Sequence, residues 1–252
     1  MQDDSALTKA VAMVKDLRAR CAWDRVQTRE TVRPYLIEEV HELDAALASG
    51  DQAAIRDEVG DLMLHLAWQL VLGEETGEFT SAEIADDLVA KMRRRHPHLF
   101  ELGPAEHWQA LKARERRSDG GALAGLPATL PGLLMAFRLQ ERAAGVGFDW
   151  PDVAGPLEKV REELTEVEHE LAHHDDSGRE RLADEIGDLL FAVVNLARKA
   201  DIHPGPALDR ANRKFQRRFE QVERLAGERG IAMQTAGLAK LDELWDEVKS
   251  AT

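Results

Sequence analysis

Positive charge is in short supply. The 252 residues include 33 Lys and Arg against 47 Asp and Glu, a formal charge of −14. Such a chain lacks the broad basic face needed by a general nucleic-acid binder or by a protein that rides on anionic membranes. A nucleotide substrate stays open, because metal ions mediate between acidic protein and anionic phosphate. Cysteine is almost missing. Cys21 alone closes no internal disulfide, which fits a reducing compartment; with no supporting constellation for a nucleophile, it reads as a small buried hydrophobe. No apolar run approaches the ~20 residues of a membrane span, and no apolar stretch follows a basic start. The expectation is a soluble, cytoplasmic protein. Strand signals are nearly absent as well.

What is present is helical. Hydrophobic residues make up 44% and charged residues 32%, enough for a real core. Apolar residues recur at three- and four-residue steps, which predicts helices over 5–20, 31–48, 52–73, 81–95, 104–117, 131–143, 153–173, 179–200, 206–229 and 238–249. Turn chemistry marks breaks at Gly50, Gly73, Pro97, Gly145 to Gly147, His203 to Gly205 and Gly230. The best linker is 118–131, giving an expected first repeat over 1–117 and a second over 132–252.

The halves repeat. The first carries Glu38-Glu39-Val40-His41-Glu42 and then Asp57-Glu58-Val59-Gly60-Asp61-Leu62. The second carries Glu162-Glu163-Leu164-Thr165-Glu166 and then Asp184-Glu185-Ile186-Gly187-Asp188-Leu189. Both read E-E-x-x-E followed by D-E-[VI]-G-D-L, with only the intervening loop changed in length. Helical phase places Glu163 and Glu166 beside an apolar stripe of Leu157, Val160, Leu164, Val167 and Leu171. Glu185 and Asp188 sit beside Ile186, Leu189, Val193 and Leu196. The first repeat keeps the phase: Glu39 and Glu42 beside Leu36, Val40, Leu43 and Leu47, and Glu58, Asp61 and His65 beside Val59, Leu62 and Leu66. Antiparallel pairing of two such helices converges four carboxylates at a core edge, where they repel unless a cation joins them. All-oxygen donors suit Mg²⁺ or Mn²⁺ rather than zinc. A single E-x-x-E is usually a solvated face, but the duplicated, phase-matched pattern argues against that reading here.

A basic helix end follows in each half: Lys91 to Arg95, and Lys214-Phe215-Gln216-Arg217-Arg218. Alone, such a cluster is ordinary surface; after a carboxylate–metal site it becomes a candidate grip on phosphate oxygens. Each half also has a late Trp, Trp108 and Trp245, either core or a base-stacking surface.

Together with Cys21-Ala22-Trp23-Asp24, Arg94-Arg95-His96-Pro97-His98, Val146-Gly147-Phe148-Asp149-Trp150 and Asn212 to Phe219, these motifs resemble the MazG family across essentially the whole chain. The resemblance implies an all-α NTP pyrophosphohydrolase fold in tandem, Mg²⁺ (with Mn²⁺ as substitute), and conversion of an NTP to NMP and pyrophosphate. It implies Glu163, Glu166, Glu185 and Asp188 as metal ligands. Lys159, Val160, Arg161, Glu162 and Glu163, Lys214 to Arg218 and Trp245 would line the nucleotide site, with Glu162 or a metal-bound Glu taking the proton of the attacking water. It also favours a homodimer, with no nucleic-acid or membrane partner expected.

Three differences make the second repeat the expected working site: Lys159 against Tyr35, Asn195 against Trp68, and Asn212 against Val89. Trp68 is expected to fill space a nucleotide would occupy. Glu39, Glu42, Glu58 and Asp61 then form at most a weaker metal site. Two rival classes stand beside this reading. A carboxylate-bridged di-iron bundle would use Glu38-x-x-His41 and Glu166-x-x-His169, but these fall at inequivalent positions of the repeat. A non-enzymatic helical regulator would show neither metal dependence nor turnover.

Overall fold

The computed structural model describes residues 5–100, 103, 121–172 and 178–250, all helix, turn or loop. The expected helix over 104–117, with Trp108, lies outside the described residues. The chain divides into two compact units, 1–105 and 106–252.

In the first unit, α1 (Ala6–Arg20), a short α2 (Ala22–Arg25), α3 (Arg29–Ser49), α4 (Gln52–Thr76) and α5 (Ser81–Arg95) follow one another, and a 3₁₀ turn spans Pro97–Leu99. Each long helix starts where a hydroxyl or carboxylate can take orphan amide hydrogens. The Ser5 hydroxyl accepts from Thr8, Asp51 from Ala53 and Ala54, and Thr80 forms a reciprocal box with Glu83. Thr28 opens α3 with a similar box to Thr31, two residues before the expected start; Pro34, in the second turn, has no amide hydrogen to give the Glu30 carbonyl. Gly50 and Gly77 end α3 and α4 in the left-handed conformation that costs glycine nothing.

Gly73 does not break α4, contrary to expectation. It is buried in the last turn of α4, where the Phe79 ring lies in the place of a β-carbon. The core gathers Val14, Val32, Ala67, Trp68, Val71 and Leu72. Arg18 locks its edge: the guanidinium sits 5.2 Å from the centre of the Trp68 ring, forks onto Glu75 at 2.7 and 2.6 Å, and donates to the carbonyls of Asp24 and Gln27. Cys21, read as buried, is half-buried at the hinge between α1 and α2, where its amide closes α1.

The second unit contains α6 (Gly132–Ala144), α7 (Ala154–Ala172), α8 (Gly178–Lys199), α9 (Pro204–Glu228), a short α10 (Met233–Ala236) and α11 (Leu238–Ser250). The expected break at His203 to Gly205 is the start of α9, where Pro204 takes a first-turn position that needs no amide hydrogen. Helices α7 and α8 form an antiparallel hairpin, α6 lies on α8, and α9 packs on α11. Val222, Ala226, Leu244 and Val248 form the α9–α11 core. Buried Gln140 of α6 donates to the Phe191 carbonyl of α8 at 2.8 Å. Arg198 and Lys199, at the end of α8, both bind Asp149, holding the Gly147-Phe148-Asp149-Trp150 loop against the hairpin.

Glu74 joins three elements of the first unit. It accepts from Lys15 of α1 at 2.7 Å and from the hydroxyl and amide of Ser81, the first residue of α5, at 2.5 and 3.1 Å. The lysine, then the serine donors, bring its carboxyl down to about 2. A depressed carboxyl stabilises the fold fully above its unfolded value and loses that contribution as pH falls through its folded value. Glu74→Gln is therefore expected to lower the stability of this unit by about 1–2 kcal/mol at neutral pH. In urea titrations followed by circular dichroism, the gap to the wild type should narrow as pH falls from about 4 towards 2; a gap independent of pH over that window contradicts the assignment.

Candidate functional site

The α7–α8 hairpin brings Glu163, Glu185 and Asp188 together, with ligand oxygens all within 4.8 Å of one another. Glu163 is the innermost, only 4% exposed. Its Oε1 meets the Lys159 ammonium at 2.6 Å, one turn back on α7, while its Oε2 is buried with no hydrogen-bond partner. Lys159 also donates to Glu162 at 2.9 Å. These two hydrogen bonds, Glu163 first, raise the ammonium's affinity for its proton. Glu166 stands beside the trio rather than in it. Burial, then its hydrogen bond with Glu163 and the charges of Glu163 and Glu185, push its carboxyl up. Of the four expected ligands, three converge and the fourth is their electrostatic neighbour.

The first repeat builds the same figure on α3 and α4. Glu39, Glu58 and Asp61 also lie within 4.8 Å of one another, with Glu42 outside the trio. Here Tyr35 replaces the lysine and turns away to meet the edge of the Trp23 ring, 6.3 Å between centres. The carboxyls of Glu39 and Glu58 are both pushed up, mainly by burial and then by the neighbouring acids, Asp61 first for Glu39 and Glu42 first for Glu58. Each keeps one buried, unpartnered oxygen. His65, one turn past Asp61 on α4, is 9% exposed, and its Nε2 lies 3.7 Å from Glu39. Burial lowers its affinity for a proton, against the opposing pull of Asp61.

Buried carboxylate oxygens without donors mark a site built for a cation. The oxygen-only trio of the second repeat fits a hard divalent ion. Of the residues expected at the nucleotide site, Glu163 belongs to the trio itself, Lys159, Val160, Arg161 and Glu162 precede it on α7, and Asn195 lies two turns along α8 from Asp188. Asn195 is engaged with Arg198, which donates to its side-chain oxygen from both Nε and Nη2. Asn212, Lys214, Phe215, Gln216, Arg217 and Arg218 ride on α9, and Trp245 on α11, where the Phe215 and Trp245 ring centres are 5.3 Å apart. Among the described residues, no hydrogen bond or ion pair joins Lys214, Arg217 or Arg218 to the acids.

Trp68 is 3% exposed and belongs to the core under α1. One expectation needs correction. The apolar stripes read as core are split: Val167 is buried and Val160, Leu189, Leu196, Leu36, Leu43 and Leu62 are half-buried, but their other members face outward. Leu157, Leu164, Leu171, Ile186 and Val193 are exposed, as are Val40, Leu47, Val59 and Leu66 in the first repeat. The line that turns inward along α7 is Pro156, Glu163 and Val167. His41 and His169 are exposed too, which removes the Glu-x-x-His pairs as buried iron ligands.

A family model described as the MazG nucleotide pyrophosphohydrolase domain matches residues 27–100 and 156–223, two segments that contain both trios. The chain is 38% identical to the nucleoside triphosphate pyrophosphohydrolase of Escherichia coli K12, covering 98% of this chain and 97% of that one. It is 37% identical to the nucleoside triphosphate pyrophosphohydrolase/pyrophosphatase MazG of Thermotoga maritima, covering 95% and 94%. An uncharacterized protein of Bacillus subtilis, YabN, is 38% identical over 94% of this chain and 50% of its own length.

Lys159 is the cation that makes the second trio tolerable in the absence of metal. Lys159→Met is expected to destabilise the metal-free protein by about 1–2 kcal/mol, the low end for a charged hydrogen bond because the ammonium is itself partly in water. A saturating divalent cation should then raise the melting temperature of the variant more than that of the wild type. Equal shifts on metal addition contradict this role.

Proposed function

The chain belongs to the MazG nucleotide pyrophosphohydrolase family, and from that membership we propose that its second repeat, 132–252, hydrolyses nucleoside triphosphates to the monophosphate and pyrophosphate with Mg²⁺. The observation that carries the reading is the buried, partnerless oxygen of Glu163 within the trio with Glu185 and Asp188. Glu163, Glu185 and Asp188, with Glu166 beside them, hold the ion. Mg²⁺ bound there supplies positive charge at the α-phosphate and lowers the pKa of a bound water.

The protein's own groups account for the rest. Glu162, exposed and paired with Lys159, or an acid of the trio accepts the water's proton. The water oxygen bonds to the α-phosphorus, the bond from that phosphorus to the bridging oxygen breaks in line, and pyrophosphate leaves with the electron pair. Lys159 positions Glu163 and supplies a cation at the metal line. Lys214 and Arg218 offset charge on the leaving pyrophosphate, and the Phe215–Trp245 pair offers the base an aromatic face. Such chemistry suits nucleotide-pool housecleaning or control of stress nucleotides.

We further take the protein to be a homodimer. The outward apolar faces of α7 and α8, and Ile84, Leu88 and Val89 on α5, are too much apolar surface for a hairpin to leave in water. Light scattering at micromolar concentration should give about twice the 28.1 kDa chain mass; a monomer counts against this assembly.

Turnover should be Mg²⁺-dependent, with pyrophosphate released. Finding NDP and orthophosphate instead removes attack at the α-phosphorus. Glu163→Ala or Asp188→Ala should lower kcat/KM by more than the ~10²–10³-fold typical of losing a single transition-state donor. Glu39→Ala or Asp61→Ala should keep most of the activity. Equal losses in both repeats, in folded variants, contradict the division of labour.

A further inference from the structure

The second repeat carries a polar network at two positions that the first repeat gives to its core. Seven residues after the last acid of the trio stands Asn195, where the first repeat has Trp68. Three further on stands Arg198, where the first repeat has Val71. Trp68 and Val71 are both buried core residues. An apolar pair thus serves packing at these places, and partly buried charges carry a desolvation cost. The polar pair therefore points to a second duty.

Arg198 is anchored on one side and grips on the other. Its mostly buried guanidinium pairs with both oxygens of Asp149, from Nη2 to Oδ1 and from Nη1 to Oδ2 at 3.3 Å. Lys199 adds a bond to the same carboxylate at 3.1 Å. The loop that carries Asp149 is itself tied down. The amides of Gly147 and Phe148 bond back to the Ala144 and Ala143 carbonyls at the end of α6. The Trp150 ring lies against Gly155 of α7, in the place of a β-carbon. From this anchor Arg198 reaches one turn back along α8. It donates to Asn195 Oδ1 from Nε at 3.0 Å and from Nη2 at 2.9 Å.

A guanidinium only donates, so the atom it holds is the amide oxygen. The NH₂ group of Asn195 is left as the free end of the side chain, and among the described residues it makes no hydrogen bond. Seven residues make two turns, so Asn195 shares a side of α8 with Asp188, ~10.5 Å along the axis. An uncharged N–H suits a neutral acceptor, whereas phosphate oxygens draw charged donors such as Lys214 and Arg218.

We propose that Arg198, anchored by Asp149, is a positioning residue for substrate. It fixes the Asn195 amide so that its NH₂ donates to a neutral acceptor on the nucleoside, either on the base or on the sugar. The inference rests on the nucleotide-hydrolysing reading of the second repeat. It brings the loop 147–150 into substrate recognition without a direct contact.

The test is calorimetric titration of the full chain with Mg²⁺ and the α,β-methylene analogues of ATP, GTP, CTP and UTP, which reads binding without turnover. Inorganic triphosphate is the probe that lacks a nucleoside. Asn195→Ala should weaken the analogues that the wild type binds about three- to tenfold, the worth of one neutral hydrogen bond, and leave inorganic triphosphate unchanged. Arg198→Lys keeps a cation for Asp149 but loses the fork, and should weaken the same analogues. The double variant should bind no more weakly than Asn195→Ala alone, because Arg198 acts through that amide. A loss that depends on the base assigns the acceptor to the base, and an equal loss across the four assigns it to the sugar. Circular dichroism checks that the variants are folded. Unchanged affinity in Asn195→Ala, an equal loss for inorganic triphosphate, or additive losses in the double variant overturn this inference and leave the catalytic reading standing. A wild type that binds none of the four analogues removes both.

Discussion

Holding three carboxylates within 4.8 Å of one another, between two helices, is the constraint on which the rest of each repeat depends. Like charges at that distance repel, and burial adds a solvation penalty. The helices that carry them must therefore be fixed by something else. In the first unit that is the Trp68 core under α1, clamped by Arg18 and Glu75, and the Glu74 junction with Lys15 and Ser81. In the second it is α6 laid across α8 through Gln140, and the Asp149 loop drawn in by Arg198 and Lys199. These contacts lie away from the acids, and they hold the acids where water and helix propensity alone would not keep them.

The repeats answer the same repulsion in two ways. The second places the Lys159 ammonium 2.6 Å from Glu163. The first has no such partner, and the carboxyls of Glu39 and Glu58 are pushed up. A phosphate-bearing substrate needs cationic groups at the rim of the metal site, and the second repeat has Lys159 one turn before its buried Glu where the first has Tyr35. The difference between Lys159 and Tyr35 is thus electrostatic before it is steric.

Much of this was legible in the sequence. Helix periodicity and turn residues such as Gly50 place the long helices to within a few residues, because those signals are local. The trios were legible because i, i+3 spacing on two helices leaves few ways to pair them. What escaped was non-local. Gly73 looks like a break until Phe79 is seen to need its missing side chain. Pro204 looks like a break until it is seen to open a helix. His65 and Glu39, 26 positions apart, arrive 3.7 Å from each other.

The split of the apolar stripes has a cause of the same kind. Period alone says that Leu157, Leu164 and Leu171 share a face; it does not say which neighbour covers that face. Within a lone hairpin the covering helix is α8, and it meets the line of Glu163 and Val167 instead. A stripe of leucines at strict heptad-like spacing, left in water, is costly at about 25 cal/mol for each Å² of apolar surface. Its persistence on both helices of both repeats is therefore a requirement for a covering surface, which the proposed second copy meets. The sequence encodes two cores here, one inside the hairpin and one outside it, and the acids lie on the boundary between them. That position explains how a carboxylate can be buried and still reach a substrate: one side of the acidic line is closed by the chain itself, and the other is open to whatever the assembled protein admits.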